Sequence, residues 1–207
     1  MILHSVMKLK EAAVEDILVV IGKQSAGLYS ELLGSGKEWN VNLTFRIQEE
    51  AGGIAQALLA AEGFIQPHEK FIVILGDNLF ENSLHEAMKQ FMLQEQGARV
   101  LLKEAADLRR YGVPIIRNNE IIFIEEKPSR PKSPYCVTGI YMYHGDVFSI
   151  AKQLNPSFRG ELEISDVNNV YAAAGTLNYS ILDGWWTDAG THEAIEAAAI
   201  RLSQQHR

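Results

Sequence analysis

The stretch Phe71-Ile72-Val73-Ile74-Leu75-Gly76-Asp77-Asn78 decides the fold class. Five consecutive apolar residues leave no room for alternation, so they read as a strand fully buried between two layers. A Gly-Asp-Asn turn sits directly at the carboxyl end, where open α/β sheets bind their ligands. Upstream, Ile17-Leu18-Val19-Val20-Ile21 is a second buried run, closed by Gly22. It follows a helix-spaced segment with Ile2, Val6, Leu9 and Ala13 on one face. Ser25 to Leu33 reads as a short helix ended by Gly34, and Asn42 to Ile47 as a strand with Leu43, Phe45 and Ile47 on one face. Helices are expected from Gly53 to Phe64 and from Leu84 to Gln96, and a strand from Arg99 to Glu104. Val113 to Arg117, an Asn118-Asn119 turn and Glu120 to Ile124 form a hairpin pattern, with a strand from Val137 to Tyr143 beyond it. Helical patterns return at Val147 to Leu154, Glu163 to Ala174 and Thr191 to Gln204. Buried strands alternating with amphipathic helices predict an α/β fold, a mostly parallel Rossmann-like sheet with helices on both faces and a small β insertion. No repeat or linker divides residues 1–207, so the expectation is a single domain.

The chain has 207 residues, 47% hydrophobic and 22% charged, which excludes a disordered polyampholyte. No apolar run approaches the roughly 18 residues of a membrane span, and no export signal is visible at Met1, so the expected setting is the cytoplasm without membrane attachment. A net charge of -7 and the lack of a basic patch argue against nucleic acid. The single cysteine, Cys136, cannot form an internal bridge and carries no nucleophile signature. His4, His68, His85, His144, His192 and His206 lack metal-ligand spacing.

Several residues are placed where chemistry could occur. Asp77 ends a buried strand, and Asp188 lies in Trp185-Trp186-Thr187-Asp188-Ala189-Gly190. Two carboxylates meeting at a sheet end would suit Mg²⁺, which takes a couple of carboxylates plus substrate phosphates. Each also serves as an ordinary turn or capping aspartate. Glu125-Glu126-Lys127-Pro128 follows an apolar strand, and its lysine offers a compact point charge for a phosphate, or simply a charged turn. Arg159, beside Gly160 before an acidic first helical turn, is a fork donor where anions bind. Gln48 and the loop Ala51-Gly52-Gly53 open a helix and let backbone N–H groups approach a ligand, a weak phosphate signal by itself. Met88, Phe91 and Met92 at helical spacing read as core.

In order, the segments AGGIAQAL, LGDN, RRYGV, EEKP, YCVTGIY, RGELEISDVN and WWTDAGTH resemble the sugar-1-phosphate nucleotidyltransferases over essentially the whole chain. That resemblance implies an enzyme joining a nucleoside triphosphate to a sugar 1-phosphate with release of pyrophosphate, dTTP and glucose 1-phosphate being the implied pair, with Mg²⁺ as cofactor and a homo-oligomer as a possible state. It implies base contacts from Gln48 and Gly53 and metal ligation by Asp77 and Asp188. The sugar pocket would be lined by Gly112, Glu126, Lys127, Val137 and Arg159, with Lys127 and Arg159 facing the phosphate. Trp186 would pack near the metal, and Glu161 would order the Arg159 loop.

Two features depart from the family pattern. The first amphipathic helix begins at Met1 with no strand before it, although a helix on a parallel sheet normally follows one. The strand and glycine-rich G-G-x-G-T-R-L loop that open the family's sequences, and cradle the triphosphate, are not found. The expectation is therefore a domain incomplete at its N-terminus, with two strands facing each other across a gap and turnover impaired. The alternative is a non-catalytic relative that binds sugar nucleotide or pairs with a full-length homologue. Arg207 falls about where the shorter members stop, and no hexapeptide repeat is present in the sequence, which disfavours the bifunctional relatives. A metal-dependent glycosyltransferase is disfavoured because no Asp-x-Asp follows a strand.

Overall fold

A computed structural model describes residues 1–205; His206 and Arg207 lie outside the described residues. The elements run α1 (Ile2–Glu11), β1 (Asp16–Gly22), α2 (Ala26–Leu33), β2 (Asn42–Gln48), α3 (Ile54–Leu59), β3 (Lys70–Ile74), β4 (Asn78–Phe80), α4 (His85–Leu93), β5 (Ala98–Glu104), β6 (Gly112–Arg117), β7 (Glu120–Glu126), β8 (Tyr135–His144), α5 (Val147–Ala151), α6 (Ile164–Ala173), β9 (Leu177–Ile181), β10 (Trp186–Asp188) and α7 (His192–Gln205). The fold is α/β. Its main sheet has the order β3-β8-β5-β9, and β8 runs antiparallel between β3 and β5 while β5 and β9 are parallel. β1 and β2 form a parallel pair of their own, and β4 pairs with β10 antiparallel. The β6–β7 hairpin turns through Asn118 and Asn119 at φ 49° and 65°, the left-handed pair that a two-residue type I′ turn requires.

Helices cover both faces. On one, α3, α5 and α6 bring Leu58, Phe148 and Val167 against Val100, Leu102 and Tyr143. On the other, α4 packs Phe91 against Leu101, Ile140 and Met142, while α1 lays Val6 and Leu9 on Ile17, Val19, Ile21, Ile72 and Ile74. Side chains of β1 and β3 thus share the same layers. Yet the two strands do not pair, and neither has a second partner among the described strands. A cleft of about 1450 Å³ separates them, lined on one side by residues 16–22 and on the other by 69–77.

Several expected boundaries shift for identifiable reasons. β3 is half-buried along its length rather than fully buried, because one edge faces the cleft. α3 stops at Leu59 instead of Phe64: the Arg46 guanidinium donates to the carbonyls of Ala60 and Glu62, which an extended helix would consume. α4 ends at Leu93, where Lys70 Nζ donates to the carbonyls of Phe91 (3.1 Å), Met92 (2.8 Å) and Gln94 (2.6 Å). α5 likewise covers only Val147–Ala151. Ile47 keeps the register of Leu43 and Phe45 but is exposed rather than packed in their cluster. Strands β4, β9 and β10 were not expected at all.

α1 is pinned to β4 by His4, whose Nε2 accepts the Phe80 N–H at 3.2 Å and whose ring stands edge-on to Phe80 at 5.3 Å. Lys8 Nζ adds a bond to the Glu81 carbonyl at 2.7 Å. Burial, reinforced by the Lys8 charge, depresses the His4 pKa from 6.5 to about 4. A base whose folded pKa is depressed is protonated first in the unfolded chain, so stability falls as pH drops from about 6.5 to about 4. The melting temperature is expected to decline over that window in the wild type and to decline less steeply in His4→Gln. Equal slopes would show that the acid sensitivity lies elsewhere.

Candidate functional site

The site sits where the carboxyl ends of β2, β3 and β7 converge. Gln48 closes β2 and its Nε2 donates to the Gly53 carbonyl (3.2 Å) and to Gln56 Oε1 (2.8 Å), which in turn accepts the Gly52 N–H at 3.1 Å. Gly53 adopts φ 95°, and a Cβ there would lie 2.5 Å from the Leu162 carbonyl oxygen, so this position demands glycine. The Leu162 N–H donates to the Gly52 carbonyl at 2.8 Å, and the Ala55 N–H to the Leu162 carbonyl at 3.2 Å. The glycine loop is thereby laced to the segment that carries Arg159.

Asp77 and Asp188 are brought together by the short β4–β10 ladder, in which Asp188 pairs with Asn78 and the Ala189 N–H reaches the Asp77 carbonyl at 2.8 Å. Burial first, and the Asp77 charge second, push the Asp188 carboxyl above its ordinary value. Two carboxylates held close enough to repel are a donor set that a hard divalent cation satisfies, with substrate oxygens completing its shell. No cluster of three or more His, Cys, Asp and Glu suited to a metal occurs among the described residues. The pair therefore fits an ion shared with a phosphate-bearing ligand better than a closed protein cage.

Gly112 pairs with Glu126 across the β6–β7 ladder. A Cβ on Gly112 would sit 3.0 Å from Ile124 Cγ2 and 3.4 Å from Glu126 Oε2, so the glycine leaves room at the Glu126 carboxylate. Ser165, buried at the start of α6, donates its hydroxyl to Glu126 Oε2. Lys127 stands at φ 46°, a left-handed conformation costing a non-glycine residue about 1 kcal/mol. Its N–H donates to the Tyr111 carbonyl at 3.0 Å, and its Nζ lies 3.8 Å from Glu126 Oε1. Arg159 is held by carboxylates: Nε donates to Glu163 Oε1 (3.0 Å), and Nη2 to Glu163 Oε2 (2.9 Å) and Glu161 Oε2 (3.0 Å). Trp186 and Tyr111 meet edge to face at 5.5 Å, and Trp186 Nε1 donates to Asn78 Oδ1 at 2.8 Å.

One cleft thus joins Gln48, Gly53, Asp77, Glu126, Lys127 and Arg159. Asp188 adjoins it through Asp77, and Gly112 through Glu126. Val137 is not part of this gathering: its side chain is buried in the core of β8, in register with Leu102. Asn78, Ser165, Glu163 and Tyr111 are site residues that sequence reasoning did not single out. Burial raises the Cys136 thiol to about 12, so it stays protonated and inert.

The family profile described as Nucleotidyl transferase matches residues 1–205. The chain belongs to the nucleotidyl transferase family. Among curated nucleotidyltransferases, the glucose-1-phosphate thymidylyltransferase of Neisseria meningitidis is 39% identical over 203 residues, covering 96% of this chain and 70% of that protein. That of Xanthomonas campestris pv. campestris is 38% identical over 203 residues, covering 96% and 68%. A Bacillus anthracis crystal structure assigned as a glucose-1-phosphate thymidylyltransferase, in complex with sucrose, superposes with TM-score 0.91 at 48% identity, covering 97% of this chain and 81% of that one. A UDP-glucose pyrophosphorylase complexed with UDP-glucose shares the fold, with TM-score 0.82 at 24% identity. This nucleotidyltransferase has no described helix long and apolar enough to cross a membrane.

Proposed function

We propose that the site joins a nucleoside triphosphate, dTTP, to glucose 1-phosphate, giving dTDP-glucose and pyrophosphate with Mg²⁺ as cofactor. The observation that carries this reading is the gathering of these groups in one cleft. Amide and glycine groups suited to a base (Gln48, Gly53), a carboxylate at a strand end (Asp77, with Asp188 beside it), and two cations with a carboxylate (Lys127, Arg159, Glu126) line the same cleft. The names of the relatives at 38–39% identity point to the same reaction.

In this reading a sugar phosphate oxygen forms a bond to the α-phosphorus while the bond from that phosphorus to the bridging oxygen breaks, its electron pair leaving with pyrophosphate. Such transfer depends on positioning and charge neutralisation more than on covalent help. Asp77 and Asp188 would hold Mg²⁺, which when bound neutralises charge on the reacting phosphates. Lys127 and Arg159 hold the sugar phosphate, Glu126 accepts from sugar hydroxyls, and Gly112 keeps the approach open. Gln48 and Gly53 orient the base.

The open cleft supports a further point about rate. β1 and β3 are not hydrogen-bonded to each other, so the Gln48 and Asp77 sides of the site are joined only through other elements. Under this reading slow turnover is the expectation, since positioning across the cleft is not fixed by a shared ladder. The same observation favours a second reading, a non-catalytic protein that binds sugar nucleotide. Calorimetric titration with dTDP-glucose, with and without Mg²⁺, and pyrophosphate release with protein in excess over dTTP and glucose 1-phosphate separate them. Mg²⁺-dependent binding with slow release supports the enzyme, binding with none selects the second reading, and neither overturns both.

A further inference from the structure

Asn78 stands one residue beyond Asp77, is 2% exposed, and spends its side-chain amide in three directions. Its Oδ1 accepts from the Gly139 N–H at 2.8 Å and from Trp186 Nε1–H at 2.8 Å, while its Nδ2 donates to Asp77 Oδ1 at 2.9 Å. Two donors on one end and a carboxylate on the other leave a single orientation for the amide. That bond is the only hydrogen bond made to the Asp77 carboxylate among the described residues.

The neighbouring strand is built to allow this. From Tyr141 to Val137, β8 advances four residues while its partner β5 advances two, from Val100 to Leu102. The resulting bulge takes the Gly139 N–H out of the ladder and turns it to Asn78, while the Thr138 hydroxyl satisfies the Leu101 carbonyl at 2.9 Å. Gly139 must be glycine: a Cβ there would fall 2.5 Å from Asn78 Nδ2. On the other side, Trp186 belongs to β10, the strand that ends at Asp188 and pairs Asp188 with Asn78.

We infer that Asn78 is the positioning residue of the cation site: its amide fixes the Asp77 carboxylate and, through Trp186 and the Gly139 bulge, fixes the strand that presents Asp188. This rests on the reading of Asp77 and Asp188 as cation ligands. Groups that orient a ligand without touching the ion typically change metal affinity about 10- to 100-fold when removed.

Terbium(III), an oxygen-seeking probe, can be titrated into the protein and its emission excited through the tryptophan indoles, of which Trp186 belongs to the strand that ends at Asp188. Asp77→Asn and Asp188→Asn are expected to lose the sensitised signal, and Asn78→Ala to bind about 10- to 100-fold more weakly while its circular dichroism remains native. Gly139→Ala, which displaces the amide without removing it, should weaken binding in the same direction and serves if Asn78→Ala does not fold. Tyr143→Phe, which forfeits a buried bond to Asn168 (2.7 Å), controls for lost stability and should bind as the wild type. Wild-type affinity in both Asn78→Ala and Gly139→Ala, with the signal lost in the aspartate variants, overturns the role of Asn78 and leaves the cation site standing. Wild-type binding in the aspartate variants overturns the cation site and this inference with it.

Discussion

Asp77→Asn and Asp188→Asn are each expected to lower pyrophosphate release, measured with protein in excess, by about 10²- to 10³-fold, the scale of losing a preorganised charge-stabilising group. Asparagine keeps the shape of either side chain and can still accept the Gly190 N–H that Asp188 Oδ1 accepts at 2.9 Å. What it removes is the charge that a shared cation needs. Stability should move the other way for Asp188. Burial, then the Asp77 charge, raise its folded pKa, so the folded protein holds this proton more tightly than the unfolded chain does. Stability therefore falls as pH rises from the ordinary value of 3.8 through the raised folded value, and the cost persists at neutral pH. Metal-free Asp188→Asn escapes that cost and should melt higher than the wild type at pH 7. Lost activity with a raised melting temperature identifies a functional carboxylate. Wild-type rates, or large destabilisation in both variants, would assign the pair a structural role instead.

The strand ends that bear the site were legible because their signals are local. Residues 71–75 form an unbroken apolar run, and a Gly-Asp turn at its carboxyl end needs no tertiary information to be noticed. The meeting of Asp77 with Asp188 was not, since it depends on a three-residue ladder between β4 and β10, far apart in the chain and too short to show any period. β9 was missed although Leu177-Asn-Tyr-Ser-Ile181 alternates apolar and polar: five residues are a short signal, and their strand state is secured by pairing with β5. Side chains that orient others were the hardest to see. Asn78 looks like turn chemistry in Gly-Asp-Asn, and Ser165 looks like an early helical residue, until their acceptors are placed beside them. One clue was present. Gly139, alone within the apolar strand Val137 to Tyr143, is the pattern that marks a bulge or a close approach, and here it is both. Val137 is the opposite case, a position implied by family likeness whose side chain packs in the core, which leaves only its backbone to face a ligand.

Lys127→Ala is expected to weaken glucose 1-phosphate by about 10- to 100-fold, since a hydrogen bond to a charged group contributes roughly 1.5–3 kcal/mol and about 1.4 kcal/mol is a factor of ten. The structure explains why the lysine is available for this. Its side chain is 42% exposed and its Nζ is 3.8 Å from Glu126 Oε1, a loose pair that a phosphate can displace at little cost. Arg159 is differently placed, engaged by both Glu161 and Glu163, so it meets a phosphate already oriented but with part of its charge answered. Loss of Arg159 alone should therefore cost less than loss of Lys127. Because both cations would face one phosphate, the double variant should depart from additivity. Affinity for dTTP should change far less than affinity for glucose 1-phosphate in Lys127→Ala, because in the proposed reading the base is met by Gln48 and Gly53 and the sugar phosphate by Lys127. Titrating each ligand separately makes the comparison direct. An equal loss for the two would mean that Lys127 acts on the whole site, through its φ of 46° and the bond from its N–H to the Tyr111 carbonyl, and not on the sugar phosphate.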